Sequence, residues 1–216
     1  MSRAIGVLRF PGTNCDRDVF EAVEQVHQKA EWLWHADRFD FRQYEALILP
    51  GGFSYGDYLR SGALAAKSPA MKSVSEAAEN GVPILGICNG FQILCEAGLL
   101  PGVLIRNQAR RFRDEWVKLV LVHQHEKFAN DVAKNQSLTL PIAHGDGRYY
   151  IDPNGLKDLY HHEQIWWKYE INPNGSVDDI AGVMNRNKNV AGLMPHPERA
   201  IFDWMGSCAG RGFFLI

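Results

Sequence analysis

The sequence predicts an α/β fold, a three-layer sandwich with helices on both faces of a central, mostly parallel, mixed sheet. Two patterns carry that expectation. In the first half of the chain, short continuous apolar runs alternate with amphipathic stretches, the arrangement of parallel strands joined by covering helices. After Pro101 the apolar runs follow one another with fewer helical stretches between them, which adds antiparallel or mixed strands to the same sheet. At 216 residues, 46% hydrophobic and 22% charged, the chain can bury a core without disulfides or structural metals. That composition excludes a disordered, fibrous or coiled-coil protein.

Residues 4–8 read as a buried strand. Val19, Ala22, Val23 and Val26 then recur at helical spacing behind Asp16-Arg17-Asp18, an acidic start that suits a helix N-terminus. Residues 31–35 and 46–49 are the next strands, the second running into Pro50-Gly51-Gly52. A helix from near Pro69 closes at Asn80-Gly81, residues 82–87 form another strand, and a helix over 91–97 stops at Gly98. Further strands fall at 116–122, 138–143, 165–170, 180–184 and 190–194. Asp152-Pro153-Asn154-Gly155 and Asn172-Pro173-Asn174-Gly175 read as turns between them. No repeat, low-complexity tract or linker marks a boundary, so one domain over residues 1–216 is expected.

With 23 Lys and Arg against 25 Asp and Glu, the net charge of -2 offers no sequence-wide reason for nucleic acid or an anionic membrane as partner. The apolar runs fall far short of the roughly 20 residues of a membrane helix. Residues 1–12 lack the apolar stretch of a signal peptide, and a cytoplasmic protein is expected. Four cysteines without a C-x-x-C pair fit a reducing compartment, where a special cysteine acts as a thiol.

Chemistry enters at Gly86-Ile87-Cys88-Asn89-Gly90, where a buried strand becomes a helix. This is the form of a nucleophile elbow with cysteine in place of serine. Flanking glycines permit a sharp turn and close packing, leaving the thiol at the C-terminal edge of the sheet. The helix N-terminus favours thiolate, the species that attacks a carbonyl carbon. Taken alone, a small apolar cysteine after a buried strand is equally a core residue. Cys95, two turns along the same helix, reads as core filling. Cys15, in a turn, and Cys208, near the C-terminus, stand outside any elbow and read as bystanders.

A thiol that cleaves an amide needs a base to deprotonate it and an acid to protonate the departing amine, and histidine serves as both. Of eight histidines, His196 has the most informative setting, Met194-Pro195-His196-Pro197-Glu198, directly after an apolar run. The prolines restrict the backbone, and residues i and i+2 of an extended segment share a side about 6.5 Å apart, so Glu198 can orient the imidazole. Strand ends converge on one edge of an α/β sheet, which lets His196 meet Cys88.

A third strand end carries Pro50-Gly51-Gly52-Phe53-Ser54-Tyr55-Gly56-Asp57-Tyr58. Its glycines can aim amide N–H groups into a cavity and, with the Asn89 amide, stabilise an oxyanion. The loop lacks the G-x-x-x-x-G-K-[ST] form and the chain has no dinucleotide fingerprint, so no ATP or dinucleotide site is expected. His123-Gln124-His125 and His161-His162-Glu163 lack zinc-ligand spacing, and no metal is expected. The arginine-rich segment 106–113 reads as a solvated face ahead of a phosphate or partner contact.

Together these segments look familiar. Phe10-Pro11-Gly12-Thr13-Asn14-Cys15-Asp16, residues 51–58, residues 86–92, Pro141-Ile142-Ala143-His144-Gly145-Asp146-Gly147-Arg148 and residues 195–199 cover most of the chain. Gly-x-Cys-x-Gly-x-Gln with Pro-His-Pro-Glu resembles the class I (triad) glutamine amidotransferases, whose core is flavodoxin-like. The opening motif and the 51–58 loop narrow the resemblance to the glutaminase-subunit family of phosphoribosylformylglycinamidine synthase. That resemblance implies that Cys88 attacks the side-chain amide of L-glutamine to form a thioester, that His196 shuttles protons and that Glu198 orients His196. The backbone amides of Gly52, Phe53 and Asn89 would hold the oxyanion, Gln92 and His144 would help line the glutamine pocket, and water would release glutamate.

The resemblance further implies that ammonia passes to a separate synthase subunit, which converts formylglycinamide ribonucleotide to formylglycinamidine ribonucleotide in purine biosynthesis. ATP and Mg belong to that partner, a small accessory subunit joins the complex, and this chain needs no cofactor of its own. Asp146 stands where the family commonly has the longer Glu. Other readings stay open: a glutaminase serving another synthase, a free-standing thiol hydrolase of the same fold, and a silent subunit that only stabilises a partner.

Overall fold

A computed structural model describes residues 3–216. In chain order the elements are β1 (Ala4–Arg9), α1 (Asp16–Gln25), β2 (Ala30–Trp34), β3 (Tyr44–Leu49), α2 (Ala70–Glu79), β4 (Ile84–Ile87) and α3 (Asn89–Glu96). They continue with β5 (Val103–Ile105), β6 (Arg113–Leu121), β7 (Ser137–His144), β8 (Arg148–Tyr150), α4 (Pro153–His161), β9 (Ile165–Tyr169), β10 (Ile180–Met184) and β11 (Val190–Leu193).

Nine strands form one sheet in the order β2-β1-β3-β4-β11-β10-β9-β6-β7. The first five are parallel, and in chain order they trace the 2-1-3-4-5 pattern of a flavodoxin-like sheet. The remaining four attach antiparallel, so seven of the nine strands still point the same way. Successive residues of β3, β4 and β11 are buried, as they must be when both faces of a strand are covered. α1 packs against β1 and β2, and α3 against β3, β4 and β11. The mixed, mostly parallel α/β architecture expected from the alternating apolar runs is therefore present. Among the described residues no helix is long and apolar enough to cross a membrane.

Parallel alignment has one decisive consequence. The segments that follow β1, β3, β4 and β11 all leave from the same edge, and they carry the four motif-bearing stretches at residues 10–16, 50–58, 88–92 and 194–199.

The apolar patterns located the larger elements, but two kinds of feature differ. Asp152-Pro153-Asn154-Gly155, read as a turn, starts α4: the Asp152 carboxylate accepts from the Asn154 and Gly155 amides at 2.9 and 3.2 Å, and Pro153 takes the first helical position. Turn and helix-start chemistry use the same residues, and four of them cannot separate the two. The two-stranded sheet of β5 and β8 was not anticipated, because three-residue strands leave no periodicity to read.

Close approach explains the glycine before and the glycine after Cys88. A Cβ on Gly90 would lie 1.9 Å from the Leu49 carbonyl oxygen, and one on Gly86 would lie 2.8 Å from Gly90 backbone. α3 can thus press onto the ends of β3 and β4 only with bare backbone at both positions. Gly90→Ala is expected to cost roughly 3 kcal/mol or more of stability. Gly81→Ala, with open space around it and only a positive φ of 78° to oppose it, is expected to cost about 1 kcal/mol. Urea denaturation of both variants checks the ranking, and equal losses would contradict the packing explanation.

Candidate active site

The β4 ladder runs one residue past the strand, where the Cys88 amide donates to the Leu193 carbonyl at 2.8 Å. Cys88 then turns at φ 50°, ψ -104° into α3. A non-glycine residue held there stores strain on the order of 1–3 kcal/mol, the kind of cost found at functional sites. The side chain is 5% exposed and opens on a cavity of about 270 Å³ that Gly52, Phe53, Gln92, His144 and Asp146 also line.

β11 delivers His196 to the same edge. Its amide donates to the Pro141 carbonyl at 2.8 Å, and its Nδ1 lies 2.5 Å from Glu198 Oε1, with both side chains buried. Among the described residues His196 Nε2 and Glu198 Oε2 have no hydrogen-bond partner. Gly51 lets the imidazole and the nucleophile approach: a Cβ there would lie 2.7 Å from His196 Cε1 and 3.4 Å from Cys88 Cβ. Burial works against an imidazolium at this place, but the charges of Glu198 and Cys88 outweigh it and hold the His196 proton well above its ordinary range. An imidazole anchored at Nδ1 and free at Nε2 can take a thiol proton and return it to a leaving amine.

Gly52 adopts φ 135°, and a Cβ on it would lie 2.6 Å from the Asn14 amide nitrogen, so only glycine fits. Its own amide donates no hydrogen bond among the described residues, and Asn89, the first residue of α3, keeps an amide outside the helix ladder. Phe53 differs from the expectation. It lines the cavity, but its amide already donates to the Gly12 carbonyl at 2.9 Å and is not free to hold an oxyanion. The segment at residues 10–16 packs beneath the loop and takes that donor for itself.

The remaining expected residues sit around the same cavity. Gln92 Nε2 donates to the Asp146 carbonyl at 2.8 Å, while Asn89 Nδ2 donates to Gln92 Oε1 at 2.8 Å and Asn89 Oδ1 accepts from the Ser54 amide at 3.1 Å. His144 is buried, with Nδ1 3.2 Å from Asn107 Oδ1 and Nε2 unpartnered. Desolvation, followed by the charge of His196, pushes His144 down to about 4, so it faces the cavity as a neutral ring.

Sequence reasoning missed several groups. Asp57, Ser61 and Arg106 line the Cys88 cavity, and Ser61 Oγ donates to Asp146 Oδ2 at 3.1 Å. Arg106, read as part of a solvated face, has its guanidinium 3.5 Å from Asp146 Oδ1. Cys15, read as a bystander, accepts from Arg199 Nη2 at 3.1 Å, and its sulfur, a His196 nitrogen and a Glu198 oxygen lie within 4.8 Å of one another. Only the shared sheet edge joins residue 15 to residue 196, and no local motif reports it. Cys15, His196 and Glu198 are the one set among the described residues close enough to share a metal ion, but the Arg199 guanidinium on the Cys15 sulfur opposes a cation there. His125 Nδ1 accepts from the Lys127 and Phe128 amides at 3.0 and 3.1 Å.

A parallel sheet that gathers a strained thiol, an imidazole and a carboxylate at one edge defines the class of triad acyl-transfer enzymes. Comparison narrows it. Residues 2–212 match the CobB/CobQ-like glutamine amidotransferase domain. A chain in the structure of PurLQS from Thermotoga maritima is 43% identical, with 99% of this chain and 96% of that one covered and a TM-score of 0.90. A glutamine amidotransferase from the same organism, 16% identical with 92% of this chain and 77% of that one covered, shares the fold at a TM-score of 0.60. The chain belongs to the CobB/CobQ-like glutamine amidotransferase family and is a glutamine amidotransferase.

Two buried histidines give the fold a pH dependence. His144 and His125 both sit at about 4, the second through desolvation followed by the charge of Lys188. Unfolded, each takes up its proton near 6.5. Their contribution is therefore fully present above about pH 6.5 and is lost as pH falls toward about 4. Urea titrations across that window should show the decline, and His125→Asn combined with His144→Asn should flatten it. An unchanged slope in the double variant would contradict the assignment.

Proposed function

We propose that the chain hydrolyses L-glutamine through a Cys88 thioester and hands the ammonia to a partner synthase. The observation that carries this reading is the meeting of Cys88, His196 and Glu198 at one sheet edge beside a cavity of amino-acid size. His196 Nε2 takes the thiol proton, sulfur attacks the side-chain carbonyl carbon, and the Gly52 and Asn89 amides stabilise the oxyanion. His196 then protonates the amide nitrogen of the tetrahedral intermediate, the C–N bond breaks, and ammonia leaves a thioester on Cys88. A water deprotonated by the same imidazole cleaves the thioester to glutamate. Glu198 keeps Nε2 directed at the reacting atoms, while Gln92 and His144 shape the glutamine pocket.

The 43% identity to a chain of PurLQS supports formylglycinamide ribonucleotide amidation in purine biosynthesis as the partner's reaction, and we assign the pair to the cytoplasm. We place ATP and Mg on that synthase, with a small accessory subunit completing the complex, and assign residues 1–216 to one glutaminase domain. Half-exposed Phe112, which lines the cavity, and half-exposed Trp116 supply the aromatic surface that protein interfaces favour.

With purified synthase and all substrates, Cys88→Ala should abolish glutamine-dependent product formation and leave ammonia-dependent formation intact. Loss of both, or of neither, would overturn the proposal. His196→Ala should cut thioester formation by several orders of magnitude, and Glu198→Gln should do less, because an orienter contributes less than the base it orients. Equal losses in rapid-quench measurements would refute the role given to Glu198.

A further inference from the structure

Among the described residues Cys15 is the one thiol close to His196 and Glu198 that the proposed glutaminase chemistry leaves unused. It is 2% exposed, immediately precedes α1, and accepts a hydrogen bond from Arg199 Nη2 at 3.1 Å. Burial pushes the Cys15 thiol above its ordinary range and outweighs the opposing contacts with His196 and Arg199, so Cys15 rests as a thiol. Its sulfur and Cys88 Cβ each lie 3.4 Å from the point that a Gly51 Cβ would occupy. Because residue 51 is glycine, no side chain fills that point, and the His196 ring borders it at 2.7 Å. The Cys15 sulfur, the Cys88 Cβ and the imidazole thus converge on one glycine, which places the Cys15 sulfur no more than about 6.8 Å from Cys88 Cβ. A second cavity, of about 240 Å³ and lined by Cys15, His196 and Arg199, adjoins the Cys88 cavity through the shared walls Gly52, Phe53 and Ala143.

The other two cysteines are directed elsewhere. Cys95 Sγ points to the Pro101 carbonyl at 3.8 Å, and Cys208 Sγ lies 2.9 Å from Asp203 Oδ1. Neither is among the groups that meet the Gly51 point.

We propose that Cys15 and Cys88 are a resolving and a reactive thiol, joined into a reversible intrachain disulfide when the protein meets hydrogen peroxide or another small hydroperoxide. In the first step the Cys88 thiolate attacks a peroxide oxygen; an S–O bond forms, the O–O bond breaks, and water or an alcohol leaves after protonation. In the second step Cys15 attacks the Cys88 sulfenic sulfur; an S–S bond forms, the S–O bond breaks, and the Cys15 proton leaves with the hydroxyl as water. Two thiols lose two electrons and two protons to one peroxide. The product requires the two Cβ atoms to come to about 3.5–4.5 Å, so both side chains must turn toward each other past the bare Gly51 backbone. The disulfide stops the nucleophile at a reducible level and keeps it from irreversible sulfinic acid.

The test treats the full chain with a few-fold molar excess of hydrogen peroxide and maps its peptides by mass spectrometry without reduction. The expected result is a Cys15–Cys88 cross-linked peptide as the main product, loss of two of the four thiols, and their full return with dithiothreitol. In Cys15→Ser, Cys88 should pass to sulfinic or sulfonic acid, with less than about a tenth of the variant's own initial Cys88 thiol recovered by dithiothreitol. A wild-type map in which Cys88 is oxidised without the cross-link, or is linked to Cys95 or Cys208, overturns the proposal. Should Cys15→Ser fail to fold, the wild-type map decides alone. The readout is thiol chemistry, so it stands apart from the glutaminase reading: a chain that hydrolyses no glutamine can still form this link.

Discussion

The parallel pairing of β4 with β11 is the constraint on which the active edge depends. Ile87 opposite Leu193 ends both strands in register, and the Cys88 amide on the Leu193 carbonyl carries that register one residue further. A shift by one residue would move Cys88 to the other side of its strand and away from the His196 segment. Everything chemical at this edge inherits its position from a ladder of backbone hydrogen bonds buried in the middle of the sheet. Buried backbone pairing thus sets the alignment of the reacting groups, which their chemistry requires.

That alignment has a cost, which the fold offsets locally. Cys88 is held in the left-handed region, and the close seating of α3 on β3 that fixes it requires glycine at 86 and 90. The His196–Glu198 pair is equally demanding, because both groups are buried. Leaving one member of such a pair without the other typically costs about 3–5 kcal/mol. Glu198 accordingly sets the imidazole's orientation and also neutralises it, and the two effects share one short contact. Cys15 and Arg199 add a second layer around the same ring, tying the end of β1 to the end of β11.

Much of this was legible in the residues. Continuous apolar runs located the central strands because two-sided burial leaves no room for polar alternation, and Gly-x-Cys-x-Gly and Pro-His-Pro-Glu are local motifs whose spacing states their geometry. What escaped was non-local or degenerate. Cys15 joins the cluster only through the folded edge, Arg106 reaches Asp146 from another segment, and the Phe53 amide is claimed by Gly12 from a loop forty residues earlier. The start of α4 was misread because Asp-Pro-Asn-Gly serves a turn and a helix cap alike.

The proposed glutaminase chemistry turns on acylation of the Cys88 sulfur. Intact-mass and peptide analysis of acid-quenched protein during glutamine turnover, in the assembled complex, tests this most directly. The expected result is a glutamyl group on the peptide that contains Cys88, labile to hydroxylamine and absent when glutamate replaces glutamine. Steady turnover with unmodified Cys88 at every quench time, or the acyl group on Cys15, would contradict it.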